Sequence, residues 1–304
     1  MRRLTGFAAL ICTIAVAACS TESTVATSPG DKVISVVTTT TQLTDLAGEI
    51  GGRHAEVYGV LKVNIDPHDY EPSPADINAL AKADVIVKNG VGLEGWFDDT
   101  IKSASPKGRI VDASQGVQIR KGSGDDAEGD PHIWHNPANV AVMVTSIARA
   151  MEEAAPSAAG DIRANLAGYE AKLVRLDSDI KDRIGRLEDK KLVTNHDALG
   201  YYVDHFGLDQ VGSIIPSFDT SAELSVTQIA GIVAKIRSTG TRAVFSESSL
   251  PPKTAEAIGK EAGVKVIAGE DALYADTLGP AGSNADTYLK MQEHNTKVIV
   301  ENLG

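Results

Sequence analysis

Residues 161–187, DIRANLAGYEAKLVRLDSDIKDRIGRL, form the longest helical pattern in the chain. Apolar residues recur in this stretch at spacings of three and four, which indicates a helix with one buried face. A helix of roughly 28 residues is about 40 Å long at 1.5 Å per residue. It is too long to serve only as the cover of one small sheet. We therefore interpret the stretch as a rigid helix that joins two domains. Its apolar positions are Ile162, Leu166, Tyr169, Leu173, Leu176, Ile180, Ile184 and Leu187.

Short apolar runs alternate with amphipathic segments on both sides of this helix. Alternation of strands and helices is typical of a parallel sheet, so the sequence predicts an α/β fold with four strands in each half. We place the first lobe at residues 33–155, the linking helix at 156–189 and the second lobe at 190–304. The predicted strands are 33–37, 56–61, 84–87 and 110–112, then 192–194, 210–212, 243–245 and 264–267.

The N-terminus predicts an exported lipoprotein. Met1-Arg2-Arg3 is basic, and the apolar run 4–18 that follows is too short to cross a bilayer comfortably. Residues 16–19, Val-Ala-Ala-Cys, match a lipobox, in which the cysteine is lipidated and becomes the new N-terminus. We therefore predict a signal peptide at 1–18, a lipid anchor on Cys19 and a flexible tether at 19–32. An ordinary signal peptide cleaved elsewhere is the alternative.

Composition limits the possible partners and ligands. Cys12 leaves with the signal peptide and Cys19 carries the lipid, so no thiol is left for a disulfide or a metal. Loss of Arg2 and Arg3 leaves 27 basic residues against 41 acidic ones, a net charge of about −14. So acidic a protein is not expected to bind nucleic acid.

Three histidines and one aspartate stand in loops, most of them just after predicted strands. They are His68 in DPHDYEP (66–72), His132 in DPHIWHNP (130–137), His196 in NHD (195–197) and Asp276 in LYADTLG (273–279). Parallel sheets place ligands at the carboxyl ends of their strands. Imidazole and carboxylate groups together suit zinc or manganese. As a set these residues predict a divalent metal site, although each alone has a simpler explanation, such as a surface histidine or a helix cap.

Other polar residues near these loops are candidates for supporting roles. Asp69, Asp197 and Glu247 stand where they can orient the imidazoles, or where they can cap helices or face solvent. His135 lies three residues after His132, but prolines bracket the segment and disfavour two ligands on one helix face.

Six stretches together form a specific pattern across the mature chain: DPHDYEP (66–72), NGVGLEGW (89–96), DPHIW (130–134), NHDALGYY (195–202), FSESS (245–249) and LYADTLG (273–279). In them the chain resembles the zinc/manganese solute-binding lipoproteins of bacterial ABC transporters, a family that includes the streptococcal lipoprotein adhesins and the treponemal metal-binding protein. The resemblance implies two (β/α)4 lobes with parallel sheets, joined by one long rigid helix, with the metal in the cleft between the lobes. It also implies His68, His132, His196 and Asp276 as the metal ligands, without His135.

The function that this resemblance implies is capture of a divalent metal outside the cytoplasm and its delivery to an ABC transporter permease. We expect no enzymatic activity, a monomer, and a location on the extracytoplasmic face of the cell membrane through the lipid on Cys19. Three imidazoles and one carboxylate favour zinc, because manganese prefers more oxygen. Manganese or iron is the alternative. Members that favour manganese often carry Glu where this chain has His196, whereas members that favour zinc often carry a His-rich loop where this chain has a short acidic one, residues 122–129.

The residues also suggest three other functional classes. Gly90, Gly92 and Gly95 form a G-x-G-x-x-G motif, with Asp112 ending the next strand, as in a dinucleotide enzyme. The motif follows the third strand rather than the first, and an exported protein meets little NAD. A zinc hydrolase needs an open position for water, which Asp276 would fill. A surface adhesin is the third alternative, without a repeat, aromatic patch or basic strip to support it.

Overall fold

Two four-stranded parallel sheets form in the computed structural model, which describes residues 32–122 and 126–304. The first sheet has the order β2-β1-β3-β4 and the second β6-β5-β7-β8, so each places its first strand between the next two. The predicted α/β class with two parallel sheets is confirmed. The strands are β1 (Ile34–Thr38), β2 (Ala55–Gly59), β3 (Val85–Lys88), β4 (Arg109–Asp112), β5 (Lys191–His196), β6 (Asp209–Ile215), β7 (Ala243–Phe245) and β8 (Lys265–Ile267).

Helices connect and follow these strands, and side-chain caps explain where several of them begin. Ser73 and Ser225 form capping boxes, and Asn136 accepts a hydrogen bond at the start of α4. The last helix begins at Tyr288, because Thr287 caps it. The helices are α1 (Thr41–Gly51), α2 (Pro74–Lys82), α3 (Phe97–Ala104), α4 (Pro137–Ala154), α5 (Ala159–Gly185), α6 (Gly200–Phe206), α7 (Val226–Thr239), α8 (Lys253–Ala262) and α9 (Tyr288–Leu303).

Helix α5 is the long helix that the sequence predicts, and it has 27 residues. Its apolar stripe packs against α1, α4 and α9. Helices from both halves of the chain therefore contact one face of α5. The finer lobe boundaries given above stay a prediction.

The apolar core is continuous between the two lobes. One cluster contains Ile34 of β1, Tyr169 of α5, Leu192 of β5 and Ile299 of α9, all buried. Smaller clusters cover the other faces of the two sheets. Since separating the lobes would expose this shared core to water, they are held in one arrangement.

The predicted signal peptide (1–18), Cys19 and all of the tether except Lys32 lie outside the described residues, as do residues 123–125. Residues 32–304 group as one compact unit. In the described part of the chain, no helix has both the length and the apolar character that a membrane crossing needs.

A partly buried carboxylate of α1 near α9, that of Asp45, leads to a prediction about stability and pH. Oδ2 of Asp45 accepts a hydrogen bond of 2.8 Å from the backbone N of Tyr288, and burial raises the pKa of this carboxyl to about 6. Its unfolded-state pKa is about 3.9, so the unfolded state loses the proton first. This group therefore lowers the free energy of unfolding as the pH rises from about 4 to 6. Asp45→Asn keeps the acceptor and removes the ionisation, so we expect it to be more stable than the parent by about 2 kcal/mol at pH 7 and nearly equal at pH 3.5.

Urea unfolding of the metal-free protein at the two pH values measures this difference. Glu56→Gln, at an exposed position of β2, is the control. If Asp45→Asn changes the free energy of unfolding equally at both pH values, the pKa of the Asp45 carboxyl is not raised in the folded protein.

Candidate metal centre

Four side chains, one from the end of a strand and three from connecting segments, meet at the carboxyl ends of the strands. His68 follows β2, His132 lies between β4 and α4, His196 ends β5, and Asp276 lies between β8 and α9. One donor atom of each lies within 4.8 Å of those of the others. The first two residues belong to the first lobe and the other two to the second, so the cluster spans the junction between the sheets.

The distances within this cluster match the spacing of ligands around one ion. Nε2 of His132 lies 3.2 Å from Nε2 of His196. The two oxygens of Asp276 lie 3.4 Å from His132 Nε2 and 3.5 Å from His196 Nε2, respectively. Donor atoms on a tetrahedral zinc ion, with bonds near 2.0–2.1 Å, are about 3.3 Å apart. The His68 ring completes the group, with its centroid 5.4 Å from that of His132.

The cluster buries polar atoms that have no protein partner. His132, His196 and Asp276 are at most 1% exposed. Both oxygens of Asp276 and Nε2 of His68 lack a hydrogen-bond partner among the described residues. Burial raises the pKa of Asp276 to about 7 and lowers the pKa of His68 to about 4. A bound cation compensates a buried carboxylate, whereas an unpaired one costs several kcal/mol.

The sequence Asp-Pro-His occurs twice, and both copies form the same turn. Asp66 accepts a 3.0 Å hydrogen bond from the backbone N of His68, and Asp130 accepts one of 3.0 Å from the backbone N of His132. Oδ1 of Asp130 also lies 2.9 Å from Nδ1 of His132. When Nδ1 donates this proton, Nε2 keeps its lone pair free for a metal. The sequence interpretation missed Asp66 and Asp130, and the repeated motif is the signal that could have found them.

The three predicted supporting acids lie in different places. Oε1 of Glu247 accepts a 2.9 Å hydrogen bond from the backbone N of His196, and Oε2 lies 2.7 Å from Nδ1 of the same residue. Asp197 instead accepts from Nε2 of Gln210 at 2.6 Å. Asp69 is exposed and has no hydrogen bond to an imidazole within the described residues. Asp66, and not Asp69, lies beside His68, because an aspartate in such a turn accepts a hydrogen bond from the backbone N two residues ahead. These positions correct the predictions for Asp69 and Asp197.

Trp134 and His135 both contact Ala275, the residue before Asp276. Nε1 of Trp134 and Nε2 of His135 both donate to the carbonyl oxygen of Ala275, at 2.9 and 3.1 Å. The carbonyl of Trp134 in turn accepts from the hydroxyl of Tyr288 in α9. The segment that carries His132 therefore also fixes the loop of Asp276.

The backbone donors of the Gly-rich turn after β3 bind a carboxylate from the same turn. Gly90 and Gly92 have positive φ angles, and the buried carboxylate of Glu94 accepts hydrogen bonds from the backbone N of Asn89 and of Gly90. In a dinucleotide site these donors would face a phosphate. The turn therefore supports the loop of His132, since Asn89 Nδ2 donates to the carbonyl of Pro131 at 2.8 Å.

Comparison with known proteins identifies the family. A family model described as "Zinc-uptake complex component A periplasmic", ZnuA, matches residues 36–302. The chain belongs to the ZnuA family. The predicted membership of the zinc and manganese solute-binding lipoproteins is thereby confirmed.

Relatives within and near the ZnuA family are named for more than one metal. The chain is 30% identical to the manganese ABC transporter substrate-binding lipoprotein PsaA of Streptococcus pneumoniae, over 94% of each chain. It is 30% identical to the manganese-binding lipoprotein MntA of Bacillus subtilis, over 97% of each. The periplasmic zinc binding protein TroA of Treponema pallidum superposes with a TM-score of 0.83 at 26% identity, over 89% of this chain and 99% of that one. The lipoprotein relatives agree with the predicted extracytoplasmic, lipid-anchored location.

Proposed function

We propose that this ZnuA-family protein captures one divalent metal ion, zinc in preference to manganese, and delivers it to the permease of an ABC importer. His68, His132, His196 and Asp276 are the proposed ligands. The observation that carries the proposal is the convergence of their four donor atoms within 4.8 Å in a buried cluster. The proposed lipid on Cys19 keeps the protein at the membrane, close to its permease.

The donor set is the argument for zinc. Three imidazole nitrogens and one carboxylate suit a tetrahedral zinc ion, whereas manganese favours a larger number of oxygen donors. One observation supports the alternative, manganese or iron. The two oxygens of Asp276 face different imidazoles, so this carboxylate can supply a fifth donor.

The proposal contains no bond-making chemistry. Catalytic zinc sites usually hold three protein ligands and leave a position for water. With the four proposed ligands, Asp276 would take that position here, and its oxygens lie 3.4 and 3.5 Å from the Nε2 atoms of His132 and His196. This arrangement favours a carrier over a zinc hydrolase.

Calorimetry on the soluble form, residues 20–304, tests the proposal. The metal-free protein is titrated separately with zinc and with manganese, and we expect tight one-to-one zinc binding and weaker manganese binding. His196→Ala should lose most of the zinc affinity. His205→Ala is the matched control, because His205 contacts Asp177 away from the cluster. Manganese binding as tight as zinc binding would change the assigned metal, and binding of neither metal would overturn the four-ligand proposal.

A further inference from the structure

We infer that Arg120 is a positioning residue for the metal centre, which ties the carboxylate behind His132 to helix α6 of the second lobe. Through this tie, the rate at which His132 releases metal depends on the contact between the lobes. The inference rests on the proposed metal-binding function and adds to it a residue outside the ligand set.

Arg120 connects two carboxylates from opposite lobes. Its Nη1 donates to Oδ2 of Asp130 at 2.5 Å, and its Nε donates to Oδ2 of Asp204, in α6, at 2.7 Å. The other oxygen of Asp130 faces Nδ1 of His132. An unbroken chain of charged hydrogen bonds therefore runs from the surface of α6 to the imidazole of His132.

Tyr201 of α6 reinforces the same connection. Its hydroxyl accepts a 2.9 Å hydrogen bond from the backbone N of Arg120 and donates one of 2.9 Å to the carbonyl of Asp130. Helix α6 thus binds the backbone of Arg120 and of Asp130 through Tyr201. It also binds the side chain of Arg120 through Asp204. A shift of α6 must move Asp130, and with it the His132 ring.

Two of the three histidines of the centre, His132 and His196, differ in how their carboxylates are supported. Asp130 is fully buried and shares its charge with Arg120, so removal of the guanidinium would leave a buried carboxylate without its cation. Glu247, behind His196, forms no salt bridge with a lysine or arginine among the described residues. Of these two carboxylates, only Asp130 is therefore paired, within the described residues, with a cation that also binds the opposite lobe.

Gly200, the first residue of α6, offers a way to break the connection without removing a charge. A Cβ atom at this position would lie 1.6 Å from Nη1 of Arg120, so the guanidinium rests directly on the glycine backbone. Gly200→Ala must displace the end of the arginine side chain, while alanine itself favours the helix. In α5, a Cβ atom at Gly160 meets nothing within 4 Å, which makes Gly160→Ala the matched control.

Stopped-flow transfer of zinc to an excess of chelator measures the release rate. Loss of the partner of a metal-binding histidine weakens metal binding by about 10- to 100-fold. We expect zinc release to accelerate by a factor in this range in Gly200→Ala and in Arg120→Met, and by less in Arg120→Lys, whose single ammonium cannot reach both carboxylates. Gly160→Ala should match the parent. Parental release rates in folded Gly200→Ala and Arg120→Met would overturn the inference, and Gly200→Ala decides alone if Arg120→Met fails to fold.

Two further readouts separate positioning from stability. The cobalt(II) absorption spectrum reports ligand geometry, and it should change in Gly200→Ala but not in Gly160→Ala; a lower Tm with an unchanged spectrum would speak for a merely structural role. The ¹⁵N chemical shifts of His132 in the metal-free protein should also change in Arg120→Met. If the parent binds no zinc, the proposed function fails while this NMR comparison still tests the tie. If the parent binds zinc and neither the rates nor the ¹⁵N shifts change, the inference fails alone.

Discussion

Asp276→Asn is expected to weaken zinc binding by about 10²- to 10³-fold and, at the same time, to stabilise the metal-free protein. A zinc site with four protein ligands gains about 10–16 kcal/mol, so loss of one charged ligand removes roughly a quarter of it. Without metal, the same carboxylate is buried and both of its oxygens lack a partner in the described chain, which costs free energy. Asparagine keeps the volume and removes the charge, so the two effects have opposite signs.

Zinc calorimetry and the Tm values with and without zinc measure the two effects. Asp271→Asn is the control, because Asp271 is exposed in the same connection between β8 and α9. The metal-free Tm should rise and the zinc-saturated Tm should fall in Asp276→Asn alone. A drop in both would indicate that Asp276 stabilises the loop structurally and is not a ligand.

Trp134→Ala is expected to lower the free energy of unfolding by about 3–5 kcal/mol. The indole is fully buried in the core shared by the lobes, and its Nε1 donates to the carbonyl of Ala275. Its removal leaves a cavity at the junction, and the carbonyl of Ala275, next to Asp276, keeps only its hydrogen bond from His135. The loss should therefore appear in stability and, through Asp276, in zinc affinity.

Urea unfolding of Trp134→Ala and Trp134→Phe tests this expectation. Phenylalanine fills most of the space but lacks the N–H donor, so we expect a smaller loss of about 1–2 kcal/mol. The difference between the variants separates packing from the hydrogen bond. A loss below about 1 kcal/mol in Trp134→Ala would mean that the junction can rearrange around the missing ring.

The strands and the stripe of α5 could be predicted because their signals are local. Apolar runs, helical spacing and cap residues such as Ser73 act within a few residues of each other. The cap of Thr287 at the start of α9 is a signal of the same local kind. The continuity of the core across both lobes could not be predicted, since it depends on how α1, α4, α5 and α9 meet.

The metal centre was predictable as a set of residue types, but the contacts around it were not. His68, His132, His196 and Asp276 are far apart in the chain; their residue types and their positions near predicted strand ends grouped them as a set, and the family resemblance implied them as ligands. Sequence neighbours suggested Asp69 and Asp197 as supports. The folded chain places Asp66 and Asp130 beside His68 and His132, because the Asp-Pro-His turn points the earlier aspartate forward.

The core shared by the two lobes affects how empty carrier would compete with loaded carrier during uptake. A protein whose halves cannot separate widely has nearly the same outline with and without its cargo. If it delivers metal as proposed, empty copies resemble loaded ones at the permease and occupy it unproductively. The permease must then recognise the loaded state from small differences around the ligand loops, and a surplus of empty carrier would slow uptake when metal is scarce.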